Sequence, residues 1–337
     1  MGFRVLILLL LVWPKNLKAQ DDISIKAQYR KMVTVPGIIT GLTFSRNGLH
    51  MAFSISQGSN SEVFIMGLQD KEPTQVTISQ HLESNPKWSP DATKIAYQKD
   101  SSGLSSIWVY DFTTQKNQRI TAVKENTFDP SWAPNGEAVA FSSDSYGSVD
   151  VMIKEFGKPK ERRLTASKGD EYIFGFHPKG QFVGYIVTGS GEEDVYAVAL
   201  TGKEAIPVTR STLPERHPRW SYSGNRVLFY HKLQSGIQIS TADFPYGEIN
   251  QLSVSNEMTV PIISGDGKYV IYHDDDDLYI QEVGKSEVRS LGLTGVFTEG
   301  ELVWSPNISI VAFSKVDFEN ETSEIWLVNV KLFVEIR

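Results

Sequence analysis

Apolar residues recur along this chain in short alternating runs, and the runs themselves repeat. The segments GLTFSRNGLHMAFS from Gly41, NPKWSPDATKIAY from Asn85 and DPSWAPNGEAVAFS from Asp129 share one pattern. It continues as IFGFHPKGQFVGY from Ile173, HPRWSYSGNRVLFY from His217, VPIISGDGKYVIY from Val260 and ELVWSPNISIVAFS from Glu301. Anchoring each copy on the residue before the turn gives Phe44, Trp88, Trp132, Phe176, Trp220, Ile263 and Trp304, spaced 44, 44, 44, 44, 43 and 41 residues apart. Nine residues past every anchor stands an aromatic: Phe53, Tyr97, Phe141, Tyr185, Phe229, Tyr272 and Phe313.

Between anchor and aromatic lies turn chemistry. Pro90, Pro134, Pro178 and Pro306 stand two residues past their anchors, and Gly48, Gly136, Gly180, Gly224 and Gly267 four past. Proline presets φ and glycine accepts positive φ, so a tight hairpin joins a first strand to a second. Alternating runs such as SEVFIMGL from Ser61, SSIWVYDF from Ser105 and SEIWLVNV from Ser323 predict a third strand. A fourth is predicted at Val76-Thr77, Ile120-Thr121, Leu164-Thr165, Val208-Thr209 and Leu252-Ser253, 32 residues past the first five anchors. No stretch sustains helical spacing.

A period near 44 matches a four-stranded propeller blade. The expectation is an all-β, seven-bladed β-propeller of four-stranded antiparallel blades, a single domain over residues 20–337. The last copy runs out after its third strand, while Arg30 to Val35 precedes the first anchor at the spacing of a fourth strand. This N-terminal strand is expected to pair with the last blade and close the ring, removing two open sheet edges. The alternative closing strand is Leu332 to Ile336, which follows the third strand with almost no turn.

Residues 1–19 read as an export signal: Arg4 gives a positive start, Val5 to Trp13 is apolar, and Leu17-Lys18-Ala19 forms a cleavage site. Nine apolar residues are too few to cross a bilayer core, which takes about 20, so a periplasmic or secreted protein with no transmembrane anchor is expected. The chain is 40% hydrophobic and 22% charged, enough to bury a core. Its net charge of −7, or −10 without residues 1–19, gives the wrong field for neutralising phosphates, so no nucleic-acid partner is expected. With no cysteine, disulfides, thiolate zinc sites and cysteine nucleophiles are excluded.

The NPKWSPD, DPSWAPNG and WSPN cores, each followed by an (I/V)A(F/Y) strand, resemble the WD40-like PD40 repeats of TolB-like β-propellers over about residues 30–330. The resemblance implies an interaction platform rather than an enzyme.

Five residues before the anchors stand Glu83, Glu171, Glu215 and Glu299, and three before stand Asn85, Asp129, His217 and Glu301. Radial repetition is expected to set them around the channel mouth as an acidic rim for a basic partner segment or a cation. The alternative is that they cap turns and face water. His50, His81, His177, His231 and His273 fall at different offsets, so repetition assembles no metal cluster from them. Asp274 to Asp277 reads as a solvated acidic loop, and Lys154, Lys158, Lys160, Arg162 and Arg163 as a basic hairpin that discourages edge pairing. Tyr146 and Tyr246 remain as the loop aromatics for a sugar platform. The expectation is an exported, monomeric, non-enzymatic propeller that binds a protein or peptide partner, envelope-associated, at the channel mouth and takes no cofactor or metal. A metal-dependent polysaccharide lyase-like or glycan-binding propeller is the alternative.

Overall fold

The computed structural model describes residues 27–335 except 123, 190–192, 203–204, 212, 235, 246, 256–259, 275–276, 295–299 and 308. The segment read as an export signal, Glu299, Tyr246, Asp275 and Asp276 therefore lie outside the described residues. The chain opens with β1 (Gln28–Pro36). Strands then follow in sets: β2 (Ile38–Phe44), β3 (His50–Gln57), β4 (Asn60–Gly67) and β5 (Thr74–Gln75); β6 (Leu82–Trp88), β7 (Lys94–Ser101), β8 (Leu104–Asp111) and β9 (Lys116–Arg119). Next come β10 (Thr127–Trp132), β11 (Ala138–Ser143), β12 (Asp150–Glu155) and β13 (Arg162–Arg163); β14 (Asp170–Phe176), β15 (Phe182–Thr188), β16 (Val195–Ala199) and β17 (Ala205–Pro207). After them run β18 (Glu215–Trp220), β19 (Arg226–Leu233), β20 (Gly236–Asp243) and β21 (Ile249–Ser255); β22 (Ile262–Ile263), β23 (Tyr269–Asp274), β24 (Asp277–Glu282) and β25 (Val288–Ser290). The chain ends with β26 (Leu302–Trp304), β27 (Ile310–Asp317), β28 (Thr322–Asn329) and a short helix α1 (Lys331–Glu335).

Each set is an antiparallel four-stranded sheet in sequence order, and a single parallel bridge, Ser61 to Leu82, joins the first two sets into one sheet of eight. The arrangement is all-β and propeller-like. The last set takes its fourth strand from the N-terminus: β1 pairs with β28 from Gln28–Asn329 to Pro36–Thr322, with Met32 to Val35 inside it as the sequence predicts. Leu332 to Glu335, the alternative, is helical instead. It docks by burying Phe333, and Arg289 and Tyr269 donate to the carbonyls of Phe333 and Val334.

The repeat residues are consumed in building this frame. The serine after the anchor turns the first hairpin: Ser45, Ser89, Ser221 and Ser264 accept from the backbone N–H of His50, Lys94, Arg226 and Tyr269 at 2.9–3.1 Å. Ser45, Ser89 and Ser264 also donate to Asn47, Asp91 and Asp266 two residues on. His177 takes this place in the fourth copy. Its Nδ1 accepts from the Lys179 N–H and its Nε2 meets the Gly224 carbonyl at 2.9 Å, which fixes a neutral ring protonated at Nε2.

The predicted fourth strand needs a correction. Except at Leu252-Ser253, the hydrophobic-hydroxyl pairs lie just after the fourth strand rather than in it. Their hydroxyls serve the third strand, which the short outer strand leaves partly unpaired: Thr77, Thr121, Thr165 and Thr209 accept from the N–H of Val63, Ile107, Val151 and Val195 at 2.9–3.1 Å. Anchor tryptophans tie one set to the one before, Trp132 Nε1 donating to the Lys87 carbonyl and Trp220 Nε1 to that of Gly175.

The apolar core is divided. Every cluster is shared by consecutive sets, as with Ala96, Ile107 and Val109 of the second against Trp132, Val139 and Phe141 of the third. Val33, Ile325 and Leu327 of the last set pack with Leu42, Phe44 and Phe53 of the first. The first strands neighbour each other in the same cycle, β2 beside β6, β6 beside β10, and so on to β26 beside β2.

Strand β1 buries Val33 and Val35, about 1.5–3 kcal/mol each, and supplies the pairing for the whole length of β28. Deleting residues 20–36 should lower the unfolding temperature more than deleting residues 332–337, although loss of Phe333 makes the second deletion destabilising too. The reverse ranking in a thermal melt would show that α1, not β1, holds the last set.

Candidate functional site

The site is built by a bulge in the first strand of the sets. At Asn85-Pro86, Asp129-Pro130 and His217-Pro218 two residues oppose one on the next strand, the buried aromatics Tyr97, Phe141 and Phe229. Asn85, Asp129 and His217 take φ of 53°, 55° and 48°, and Gly41 at the same position takes 69°. Gly, Asn, Asp and His tolerate this left-handed conformation best, so residue type here answers first to the backbone.

Asn85, Asp129, His217 and Glu301 line a central cavity of about 1050 Å³. So do residues one before the anchors: Thr43, Lys87, Ser131, Gly175, Arg219 and Val303. Glu301 is spent on structure, its two oxygens accepting from the Gly41 and Leu42 N–H at 2.9 and 2.7 Å and so tying the last set to the first. Asn85 donates to Asp129 at 3.1 Å. His217 stacks on Tyr230, centroids 5.6 Å apart, and burial, with Arg219 and Arg216 nearby, holds its pKa below the usual imidazole range. Arg216 pairs with Glu193 at 3.2 Å.

Lys87 and Arg219 have their pKa values lowered by enclosure, with Glu301 opposing in both cases. Arg219 is exposed by surface area even though sheets surround it, because the channel admits water; its loss of solvation is therefore partial. Enclosure also raises the pKa of Asp129, with Lys87 opposing. At the end of the cavity by the first hairpin turns, Arg46 reaches across: its Nη1 donates to the Pro134 carbonyl at 3.0 Å and its guanidinium lies 5.6 Å from the Tyr222 ring centre. These turns belong to the first, third and fifth sets, so the side chain spans the mouth.

The four residues three before the anchors thus meet in one cavity, but Glu83, Glu171 and Glu215 do not form a rim. All three are buried, at 1%, 1% and 0% exposure, because strand alternation turns them away from the face on which neighbours such as Tyr172 and Arg216 line the cavity. Glu83 faces Lys99 and forms an ion pair at 2.7 Å; Glu171 faces Val187 and Glu215 faces His231. Neither oxygen of Glu215 has a hydrogen-bond partner. Burial pushes its pKa up to about 7, Asp194 adding to the rise while Ser211 and Thr209 oppose it without reaching hydrogen-bond geometry. Glu171 shifts the same way, again through burial.

Sequence reasoning missed Lys87, Arg219 and Arg46. The signal was the variation itself, Thr, Lys, Ser, Gly, Arg, Ile and Val one residue before anchors in an otherwise regular frame. The other candidates are dispersed. Among the described residues no group of three or more His, Asp or Glu is placed to hold a metal. Asp277 is not a solvated loop residue: it is buried and accepts from the Leu278 and Leu293 N–H and from Ser290. The basic hairpin is largely satisfied within itself, Lys158 and Arg162 on Glu155 and Arg163 on Asp150, while Tyr146 lies under the Arg163 guanidinium at 4.5 Å.

Because the folded state raises the Glu215 pKa, it holds a proton that the unfolded chain releases between about pH 4.5 and 7. Through this group stability should fall as pH rises across that window, by at most about 3 kcal/mol, and Glu215→Gln should make the fall shallower and stabilise the protein at pH 8, Glu171 and Asp129 keeping their own shares. Urea midpoints at pH 5 and pH 8 check this. Parallel pH dependence in the two proteins would mean that Glu215 is not the titrating group.

The sequence matches the TolB beta propeller domain family, PD40, over residues 21–172 and 85–283. It is 45% identical over 49 residues to the protein TolB homolog of Protochlamydia amoebophila (strain UWE25), a stretch covering 14% of this chain and a tenth of that relative. TolB from Acinetobacter baumannii superposes with a TM-score of 0.57 at 21% identity, over 74% of this chain and 67% of that one. An oligogalacturonate lyase in complex with manganese superposes with a TM-score of 0.72 at 13% identity, over 94% and 96% of the two chains. At such identities the solved structures speak for the fold alone. The repeat cores, the four-stranded sets they build and the family match over most of the length agree, and the chain belongs to the PD40, TolB β-propeller family.

Proposed function

We propose that this protein is an exported, monomeric, non-enzymatic propeller of seven blades, closed into a ring by β1 and forming one domain, and that it binds a protein or peptide segment in its central channel. The observation that carries this reading is the division of labour among the residues. Ser45, Ser89, Ser221 and Ser264, the repeat threonines and the anchors Trp132 and Trp220 are occupied in hydrogen bonds that hold the sheets, whereas the channel wall presents polar groups of varied type at positions the frame leaves free to vary. An export signal at residues 1–19 supports a periplasmic or secreted location. The full-length likeness to an oligogalacturonate lyase makes sugar cleavage the second reading.

Peptides selected from a displayed random library on the immobilised full chain test the platform. They should bind wild type in calorimetry and lose at least tenfold in affinity with Thr43→Trp, which fills the channel from its wall. Unchanged affinity would place binding elsewhere. Formation of unsaturated product from oligogalacturonate with added manganese would overturn the non-enzymatic reading.

A further inference from the structure

The channel's chemistry is opposite in sign to that of the acidic rim read from the sequence. Of the charged residues described along its wall, four are cations, Arg46, Lys87, Arg216 and Arg219, against three carboxylates, Asp129, Glu193 and Glu301. This lies inside a chain whose net charge is −7. Most of these groups have assigned work. Arg46 spans the mouth, Arg216 and Glu193 pair with each other, Glu301 accepts two backbone N–H groups, and Asp129 accepts from Asn85.

Lys87 and Arg219 have none. Among the described residues neither side chain donates a hydrogen bond or forms an ion pair. They project from β6 and β18, in the second and fifth sets, into one cavity, and they are close enough for the Arg219 charge to bear on Lys87. A lysine carries three N–H donors and an arginine five in a planar fork, so the channel holds up to eight donors that hydrogen-bond to no acceptor among the described residues, with the Glu301 charge bearing on both side chains and that of Asp129 on Lys87. Arg219 is exposed to the water of the channel and Lys87 is half-buried, so both donors are reachable by a ligand and neither is fixed in place by the frame. A carboxylate is the group such a pair receives best, bidentate on the guanidinium with the ammonium as a point charge beside it.

We propose that Lys87 and Arg219 form an anion-binding site inside the channel that takes a carboxylate of an acidic peptide segment. The assignment rests on the platform reading above and names the chemistry of its partner. Citrate and hexaglutamate are the probes, titrated calorimetrically into the full chain at constant ionic strength. Both should bind wild type and lose at least tenfold in affinity in Lys87→Met and in Arg219→Met, with Arg219→Lys retaining part of the binding. Unfolding temperatures of the two methionine variants should be unchanged or raised, because each removes a side chain that makes no hydrogen bond or ion pair with the described residues.

Absence of citrate binding, or equal binding in both variants, would overturn the site. So would a fall in unfolding temperature of either variant, which would mark its cation as structural. Trigalacturonate binding where hexaglutamate does not would overturn the peptide assignment. Library peptides that bind with undiminished affinity in both variants would leave the platform standing without this site, whereas failure of peptides of every charge to bind would sink both.

Discussion

A four-stranded sheet with two apolar faces has nowhere to hide them alone. In this protein each sheet solves the problem with its neighbours, because every buried cluster is divided between consecutive sets and none belongs to one set. The last set is in the same position with respect to the first, through Val33 and Ile325 packing with Leu42 and Phe53 and through Glu301 on the Gly41 and Leu42 N–H groups. Burial of one sheet therefore depends on two others. The channel is what remains when the first strands approach one another as closely as their bulges allow.

This dependence explains which residues repeat. The aromatic nine past the anchor sits at the packed centre of its sheet, opposite the bulge in four of the sets, and is almost fully buried in all seven copies. The Thr hydroxyls supply the acceptors that short outer strands such as Arg162–Arg163 do not. Such residues answer to the frame, and a frame repeated at a fixed spacing is legible in a single sequence. The pairing of the N-terminal strand with the last set was legible for the same reason, since a missing fourth strand at one end and a spare strand at the other are both spacings.

The site was legible only in part. Offsets from the anchors identified the residues three before as lining the channel, because the bulge at Asn85, Asp129 and His217 is itself repeated. Two positions earlier the same reasoning failed. Glu83, Glu171 and Glu215 are also spaced by the repeat, but strand alternation sets them on the buried face beside exposed or half-buried neighbours such as Leu82, Tyr172 and Arg216, and an offset from the anchor does not say which face a residue takes. Lys87 and Arg219 were hidden for the opposite reason. A residue whose purpose is to differ between copies leaves no period to detect.

The guanidinium of Arg46, reaching from the first set to the Pro134 carbonyl of the third and the Tyr222 ring of the fifth, lies across one mouth of the channel. It is an exposed side chain, so it is a movable bar and not a wall. A segment that threads past it must first displace it, at a cost of about one exposed hydrogen bond, roughly 1 kcal/mol. An end or a tight bend seated short of the bar leaves it in place, and is favoured over the interior of an extended strand by that amount.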